Sequence, residues 1–207
     1  MFLDEFPEFD QKSLEALRQP LEERFVSVSR AKGSAKYPAS FILVAAMNPC
    51  PCGNFGIKGK PCICTAMQLA RYKRKISGPI IDRIDIWTEV SRVDHDKLTE
   101  SSSIKESPIA RNRISRTREI QKERFKKANR NILTNAEMNA RDMTLLMNVT
   151  DEAKDFLNKA AKTFGLSARS YHKILKVAQT IADMQEISQI NQDHILEAIS
   201  YRPKSDA

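Results

Sequence analysis

Seven apolar residues, 41–47, follow one another without a charge. Such a run is typical of a strand that is buried on both faces in a parallel α/β sheet. Asn48 comes next, where open α/β sheets bind their ligands, although Asn before Pro also suits an ordinary turn. A shorter strand at residues 1–3 ends directly in Asp4 and Glu5. The two strands predict one phosphate and metal site at their ends.

A helix is expected to follow the acidic pair and to cover the sheet. Asp10 can cap this helix, and Leu14, Leu17 and Leu21 share one of its faces. Pro20 removes one backbone donor and should kink the helix.

A β-hairpin is predicted next. Residues 25–30 alternate apolar and polar side chains, and the chain returns through residues 37–41 into the long apolar run. The tip of the hairpin is basic, with Arg30, Lys32 and Lys36.

The middle of the chain predicts short elements and one strongly basic segment. Residues 66–75 are predicted as a short basic helix and residues 87–90 as a last strand. Residues 105–130 contain ten Lys and Arg against three Asp and Glu. This segment is interpreted either as a solvated helix or as a nucleic-acid contact.

The last third of the chain predicts a small bundle of three helices. The first begins at Thr150 and Asp151 and stops at Gly165, the second begins near Ser167, and the third begins at Asn191. Their inner faces are predicted from apolar residues at helical spacing: Ala153, Phe156, Leu157, Ala160, Ala161 and Phe164; Tyr171, Ile174, Leu175, Ala178, Ile181 and Ala182; Ile195, Leu196 and Ile199.

Composition adds a positive charge and excludes two classes of protein. The formal net charge is +8, from 34 Lys and Arg against 26 Asp and Glu, which favours a polyanionic partner such as nucleic acid. No apolar run is long enough to span a membrane, and no charged N-terminal segment precedes an apolar stretch. We therefore expect neither a membrane span nor a signal peptide, and a cytoplasmic location.

All four cysteines lie within residues 50–64, in the order C-x-C-x9-C-x-C. In a chain without an export signal, such a cluster predicts metal or reduced thiols and not a disulfide framework. Thiolates from a set of four cysteines can close a tetrahedral structural Zn²⁺ site: Cys50, Cys52, Cys62 and Cys64. Reduced free thiols are the alternative, and redox chemistry is disfavoured because no nearby histidine would activate a thiolate.

The acidic pair suits nucleotide hydrolysis. An Asp after an apolar strand can hold Mg²⁺, and the following Glu can orient or deprotonate water. Asp4 and Glu5 match this pattern. Solvated charges at the end of a strand are the alternative.

Five sequence blocks resemble a known family. They occur in the order MFLDEFPEFD, LEALRQPLEE, YPASFILVAAMNPCPCG, SGPIIDRIDI and LSARSYHKILKVAQTIAD. The chain resembles the ComM/YifB family of magnesium-chelatase-like AAA+ ATPases over nearly its whole length. MNPCPCG and SGPIIDRIDI are the most specific blocks.

The resemblance implies roles for individual residues. Asp4 would lie toward Mg²⁺, and Glu5 would be the catalytic carboxylate of a Walker B strand in an ATP site. Asn48 would be the sensor 1 residue that places the attacking water, Arg83 the arginine finger that reaches a neighbouring subunit's nucleotide, and Arg169 the sensor 2 arginine of the lid.

Simpler interpretations exist for both arginines. An arginine finger needs a permanently charged, fork-shaped donor, which Arg supplies and Lys does not. Without the resemblance, Arg83 would be expected to pair with Asp82 or Asp85. Arg169 at a helix start is likewise ordinary on a surface, although the helix dipole disfavours a cation there unless a phosphate is bound.

One family pattern is missing. G-x-x-x-x-G-K-[ST], the loop that cradles phosphate, occurs nowhere in the sequence, and neither does the family's Lon-protease-like N-terminal domain. The sequence is therefore interpreted as the C-terminal part of such a protein. We expect that it does not hydrolyse ATP by itself.

The predicted fold is α/β: a partial AAA+ P-loop-type core from the Walker B strand onward over residues 1–90, a linker over 91–108, and an α-helical lid over 109–207. The resemblance implies an ATP- and Mg²⁺-dependent motor that forms a ring, expected to be a hexamer, and drives branch migration of DNA during uptake and recombination.

The hairpin resembles the pre-sensor hairpin of the minichromosome maintenance helicases, so Arg30, Lys32 and Lys36 would contact DNA at the pore. A surface turn with solvated charges is the alternative for this hairpin. For the whole chain, one alternative is a chelatase-type AAA+ subunit that remodels a protein partner without binding nucleic acid. Another is a zinc-dependent binding fragment without motor activity.

Overall fold

The computed structural model describes residues 1–31, 33–57, 59–90 and 106–203. The chain forms two compact units, which divide between Ile84 and Asp85. The described residues of the first unit contain strands and helices, whereas those of the second are almost entirely helical. The protein is therefore mixed α/β, as predicted. Residues 91–105 of the predicted linker lie outside the described residues.

Two parallel strands carry the ends that were predicted to form a site. β1 (Phe2–Leu3) pairs with β4 (Val44–Ala45) in parallel. Backbone pairing continues beyond the strands, because the N–H of Phe6 donates to the carbonyl of Ala46 at 2.9 Å. Parallel strands end at the same edge of a sheet, so the predicted proximity of the two strand ends is confirmed.

The predicted burial of residues 41–47 is wrong. Ile42 is 73% and Val44 54% exposed, and Phe2, which lies opposite Val44, is 64% exposed. Burial on both faces needs a layer on each side of the strand. The apolar cluster in the described part of the first unit includes Leu3 of β1 but no residue of 41–47. Its members are Leu3, Phe6, Leu14, Leu17, Ile76, Ile80, Ile81 and Ile84.

The predicted helix after Asp10 is present, with a break. The Asp10 carboxylate accepts the capping hydrogen bond at 3.0 Å. α1 (Gln11–Ala16) and α2 (Arg18–Glu23) are separate helices. The ring of Pro20 crowds the carbonyl of the residue four positions earlier, Ala16, so the break falls where α1 ends.

The predicted hairpin is present, but its second strand runs through residues 33–38 and not 37–41. β2 (Phe25–Arg30) pairs antiparallel with β3 (Gly33–Pro38), and Ser27 lies opposite Lys36. Successive side chains of a strand point to opposite faces, so Arg30 and Ser27 are on different faces. Arg30 and Lys36 therefore lie on opposite faces of the hairpin.

Two helices complete the first unit. α3 (Ala66–Lys73) begins with a capping box, in which the side chain of Thr65 accepts from the N–H of Gln68 and the Gln68 side chain accepts from the N–H of Thr65. α4 (Gly78–Ile81) follows it. The short basic helix predicted at 66–75 is thus confirmed.

The strand predicted at residues 87–90 is wrong. These residues belong to the second unit and have no regular secondary structure. The N–H of Trp87 donates to the carbonyl of Tyr201 at 2.8 Å. A single bond to the end of a helix does not make the ladder that a strand requires.

The second unit contains five helices among its described residues. They are α5 (Glu106–Lys127), α6 (Ala140–Leu146), α7 (Asp151–Thr163), α8 (Ala168–Met184) and α9 (Gln192–Ser200). Thr150, Ser167 and Asn191 cap the last three, each through its side chain, and confirm the predicted helix starts. Single 3-10 turns occur at Phe6–Glu8 in the first unit and Asn135–Glu137 in the second.

None of the described helices combines the length and apolar character that crossing a bilayer requires.

The core of the second unit follows the predicted inner faces, with two exceptions, Leu196 and Phe164. Leu196 is 55% exposed because it lies about 100° around α9 from the buried Ile195, and Ala198 is buried instead. Phe164 is 60% exposed because it lies beyond the last turn of α7, next to Gly165, whose φ of 59° turns the chain away. The buried core residues are Ala153, Leu157, Ile174, Ala178, Ile181, Ala182, Ile190, Ile195 and Ala198.

A buried polar network joins α5 to α8. Arg124 forms a two-point ion pair with Asp183, whose side chain is 0% exposed. Asn135 donates to Asp183 at 2.8 Å and to Thr180 at 3.0 Å, and Gln179 donates to Asp183 at 3.0 Å. The carboxylate of Asp183 thus has charged and neutral partners that compensate for its burial.

Replacing Asp183 by alanine is expected to destabilise the second unit by about 3–5 kcal/mol, because removal of one partner leaves the Arg124 charge desolvated and unpaired. Urea unfolding is followed by fluorescence of Trp87, the single tryptophan of the chain, which belongs to the second unit. Asp155→Ala, an exposed carboxylate on α7, is the control. A loss below about 1 kcal/mol, within reach of ordinary surface substitutions, would contradict this role.

Candidate nucleotide site and cysteine cluster

A pocket of about 320 Å³ lies where the two strand ends meet. It brings together Glu5 and Asn48, two of the predicted site residues, whereas Asp4 does not line it. The other lining residues are Glu8, Cys50, Pro51 and Tyr72.

The backbone at the acidic pair has an uncommon conformation. Glu5 has φ 49° and ψ 46°, in the left-handed region, which costs a residue with a side chain about 1–2 kcal/mol. The Asp4 carboxylate accepts a hydrogen bond from the Glu5 N–H at 2.9 Å. Strained backbone of this kind is concentrated at functional sites.

Tyr72 lines the same pocket as Glu5. It projects from α3 and donates its hydroxyl hydrogen to the backbone carbonyl of Asn48 at 3.0 Å. Burial raises the pKa of Tyr72, and the charge of Glu8 raises it further. Tyr72 is therefore a neutral donor that ties α3 to the end of β4.

The four cysteines meet between the end of β4 and the start of α3. All four sulfurs lie within 4.8 Å of one another, and all four cysteines are free thiols. The Sγ of Cys50 is 3.4 Å from that of Cys52 and 3.7 Å from that of Cys62, and Cys52 and Cys62 are 3.6 Å apart.

These separations fit zinc. A tetrahedral site with Zn–S bonds of about 2.3 Å has sulfurs about 3.8 Å apart, close to the separations found here. The N–H of Phe55 also donates to the Sγ of Cys50 at 3.3 Å, an outer contact of the kind that orients metal ligands. The donor set and its geometry are thus compatible with Zn²⁺.

Backbone hydrogen bonds and burial shift the pKa values of the thiols in different directions. A backbone N–H bond from Asn54 holds the pKa of Cys52 below its usual range, whereas burial raises the pKa of Cys64. Metal binding requires thiolates. Metal affinity of this cluster should therefore fall as the pH is lowered.

Arg83 is held inside the first unit. Its side chain is 11% exposed and forms an ion pair with Glu22. It also donates from Nη1 to the carbonyl of Pro79 at 2.7 Å and from Nε to the carbonyl of Arg18 at 3.2 Å. The carboxylate partner that the structure shows for Arg83 is Glu22, which the simpler interpretation did not name.

Comparison with known proteins relates both units to one family. The family description "Magnesium chelatase, subunit ChlI" matches residues 1–98, and "Magnesium chelatase, subunit ChlI C-terminal" matches residues 104–202. The chain is 42% identical to the competence protein ComM of Haemophilus influenzae over 203 residues, which are 98% of the chain and 38% of ComM. It is 36% identical to the uncharacterized protein YifB of Salmonella typhimurium, again over 98% of the chain and 38% of YifB.

The chain belongs to the ComM/YifB family of magnesium-chelatase-like AAA+ proteins. Its match to an uncharacterized Mycobacterium tuberculosis protein, Rv2897c, is 33% identical over 98% of the chain and 39% of that protein. The chain therefore spans less than two fifths of the length of these family members.

Three further basic residues singled out from the sequence are exposed. Arg169 is exposed in the first turn of α8, in the second unit. Arg30 and Lys36 are exposed on the hairpin, and the Lys36 ammonium lies 4.5 Å from the centre of the Phe25 ring. Lys32 lies outside the described residues.

Two contacts of this ComM/YifB family member could not be found from its sequence. Tyr72 is one of several polar residues on a basic helix, and Glu22 is one of three carboxylates on α1 and α2. Tyr72 lies outside the five family blocks, and Glu22 lies within LEALRQPLEE, a block that assigns it no role. Only the packing of α3 and α4 against the N-terminal segments brings Tyr72 to Asn48 and Glu22 to Arg83.

Proposed function

We propose that the chain is part of an ATP-driven, ring-forming motor that acts on DNA, of the ComM type, with a role in branch migration during DNA uptake and recombination. The observation that carries the proposal is the meeting of two parallel strand ends, which puts Glu5 and Asn48 in one pocket. This is the arrangement that a partial AAA+ P-loop-type core, beginning at a Walker B strand, would require. Such a motor belongs in the cytoplasm, where we place the protein.

The residues of the pocket suit phosphoryl transfer to water. Bound ATP with Mg²⁺ would supply the phosphoryl group. Asp4 does not line the pocket, but it would offer a carboxylate oxygen, the ligand type that Mg²⁺ prefers. Glu5 would accept the proton of the attacking water. The Asn48 side chain would orient that water, and its backbone is fixed by the bond from Tyr72.

The arginines extend this proposal to a ring, which we expect to be hexameric. Arg83 would act on the nucleotide of a neighbouring subunit, where its forked guanidinium spreads over the γ-phosphate oxygens. In this proposal the ion pair with Glu22 must open before the finger reaches a phosphate. Arg169 would contact the nucleotide from the helical lid.

The cysteine cluster would hold a structural Zn²⁺. Cys50, Cys52, Cys62 and Cys64 supply four sulfurs at tetrahedral spacing, a closed set that leaves no position for substrate. The metal would join the end of β4 to the start of α3. It would thereby support the Asn48 and Tyr72 wall of the pocket.

The hairpin is the proposed DNA contact of the first unit. Arg30 and Lys36 lie on opposite faces of the hairpin. One DNA strand would therefore have to pass around the tip of the hairpin to contact both cations. Lys32 belongs to this tip in the sequence. A chelatase-type subunit that remodels a protein partner, favoured by the name of the matching family, would not need these cations.

A salt series separates the two functions. In a version of the protein that also carries a Walker A loop, exchange of Arg30, Lys32 and Lys36 for glutamine should reduce the slope of log affinity against log salt by roughly two to three units, because each lost phosphate contact removes about 0.7–0.9. Binding should weaken similarly for unrelated DNA sequences, because phosphate contacts carry no base information. Affinity is measured on branched and single-stranded DNA.

The control removes equal charge elsewhere in the first unit, at the exposed residues Lys12, Lys60 and Arg71. An unchanged slope in the hairpin variant would exclude the hairpin from the DNA path. Failure of the unaltered ring to bind DNA at low salt would favour the protein-remodelling function.

A further inference from the structure

The basic segment 105–130 does not present its charges as one uniform surface. Its cations fall into two groups, according to whether they contact other residues of the fold. Four take part in the fold: Arg124 pairs with Asp183, Arg130 lies 2.7 Å from Asp142, Arg116 lies 3.4 Å from Glu186, and Arg113 donates to the Met184 carbonyl at 3.4 Å.

Four other cations form a straight row on the outer face of α5. Arg111, Arg118, Lys122 and Lys126 are spaced by seven, four and four positions, so they fall within an arc of about 80° at 100° per residue and extend for about 22 Å. All four are exposed. The side of α5 that carries the buried Thr117, Gln121 and Phe125 is centred about 100° away around the helix, with Phe125 next to Arg118.

The row is available to a partner. Within the part of the chain that the structure describes, no ion pair or hydrogen bond engages any of its four side chains. Glu119, which adjoins the row, lies 3.6 Å from Arg116. Of the other cations in the segment, Lys127 is on a different face, and Lys105 lies outside the described residues.

The chemistry of the row matches a nucleic-acid backbone. A length of about 22 Å corresponds to about six base pairs at 3.4 Å each, and cations one helical turn apart can neutralise successive phosphates of one strand. A protein partner would call for an apolar anchor at the centre of the surface. Between Arg111 and Lys126, the arc carries only Ser115 besides the cations, and it is bordered by Glu119 on one side and by the buried Phe125 on the other.

We propose that this row, the outer face of α5, is a second DNA-binding surface, which holds the phosphates of one strand without regard to base sequence. The proposal deepens the proposed function, because it takes DNA as the ligand. It does not depend on ATP turnover or on the hairpin.

The test uses the full 207-residue chain and the anisotropy of fluorescein-labelled duplex and single-stranded DNA over a salt series. The row variant exchanges all four cations for glutamine, which keeps helix propensity. We expect its salt slope to fall by about three to four units on duplex DNA, at about 0.9 per phosphate. Circular dichroism of the variant checks that α5 still forms.

Two controls separate this proposal from the others. The first exchanges four exposed cations elsewhere in the second unit, Arg141, Lys154, Lys159 and Lys162, for glutamine, and should leave the slope nearly unchanged. The second is the hairpin variant, Arg30→Gln with Lys36→Gln.

Each outcome decides between the proposals. A reduced slope in the row variant alone supports the α5 surface and counts against the hairpin contact. An unchanged slope in the row variant overturns the α5 surface, while a loss in the hairpin variant still supports the proposed function. Equal losses in the row variant and its charge-matched control overturn the α5 surface too, because net charge alone then explains binding. No binding of the unaltered chain to either DNA at low salt also overturns it.

Discussion

Replacing Arg83 by alanine, in a version of the protein that also carries a Walker A loop, is expected to lower ATP turnover by about 10³-fold or more. An arginine finger stabilises charge that develops in the transition state and adds little to ground-state affinity. Nucleotide binding should therefore remain nearly unchanged. Steady-state turnover and equilibrium nucleotide binding are measured on the same preparation.

The contacts of Arg83 require a structural control. Its hydrogen bonds to Pro79 and Arg18 and its ion pair with Glu22 mean that alanine also removes packing of α2 against α4. Glu22→Gln breaks the same ion pair and leaves the finger in place. If Arg83 acts only through the fold, both variants lose thermal stability and turnover in parallel. If it acts as a finger, Glu22→Gln retains turnover and Arg83→Ala does not.

Mixed rings test whether Arg83 acts on a neighbouring subunit. Subunits with Arg83→Ala are combined with subunits with Glu5→Gln, each inactive alone. Some interfaces of a mixed ring then pair an intact Glu5 with an intact Arg83, so activity should partly return. No recovery at any mixing ratio would count against action in trans, and a normal rate in rings made only of Arg83→Ala subunits would end the assignment.

One Zn²⁺ per chain is expected in protein purified without added metal, as measured by elemental analysis. Zinc binding to a four-thiolate site contributes about 10–16 kcal/mol, so Cys64→Ser should lose most of the bound metal. Chelation should make residues 50–64 sensitive to protease before the second unit, because the ligands lie in one loop of the first unit.

Ile63 provides a matched control for the metal site. It lies between Cys62 and Cys64, is 81% exposed, and has no ligand atom, so Ile63→Ser should retain zinc. A zinc content near zero in the unaltered chain, with four freely titratable thiols, would favour reduced thiols over a metal site.

Local signals in the sequence were sufficient for the starts of the last three helices of the second unit. Thr150, Ser167 and Asn191 cap the helices they were predicted to begin, because a cap is a contact between residues three positions apart. The inner faces of α7 and α8 followed helical spacing for the same reason. The predicted burial of Phe164 was wrong because hydrophobic periodicity does not show where the last turn of a helix ends.

The strands show where local signals stop. The 41–47 run has the composition of a buried strand, but burial depends on layers that other segments supply, and Val44 remains exposed. Residues 87–90 have the β propensity of a strand, yet Trp87 finds a backbone partner in Tyr201. Strand formation requires a neighbour, which propensity does not provide.

The sequence by itself determined the family blocks, the helix starts, the hairpin and the candidate residues Glu5, Asn48 and the four cysteines. Only the tertiary structure decided that Glu22 holds Arg83, that Tyr72 reaches Asn48, and which cations of 105–130 face outward. The physical reason is the separation along the sequence over which each kind of contact acts. Caps, turns and periodicity act within a few residues, whereas Arg83 and Glu22 are 61 positions apart and meet only when helices pack.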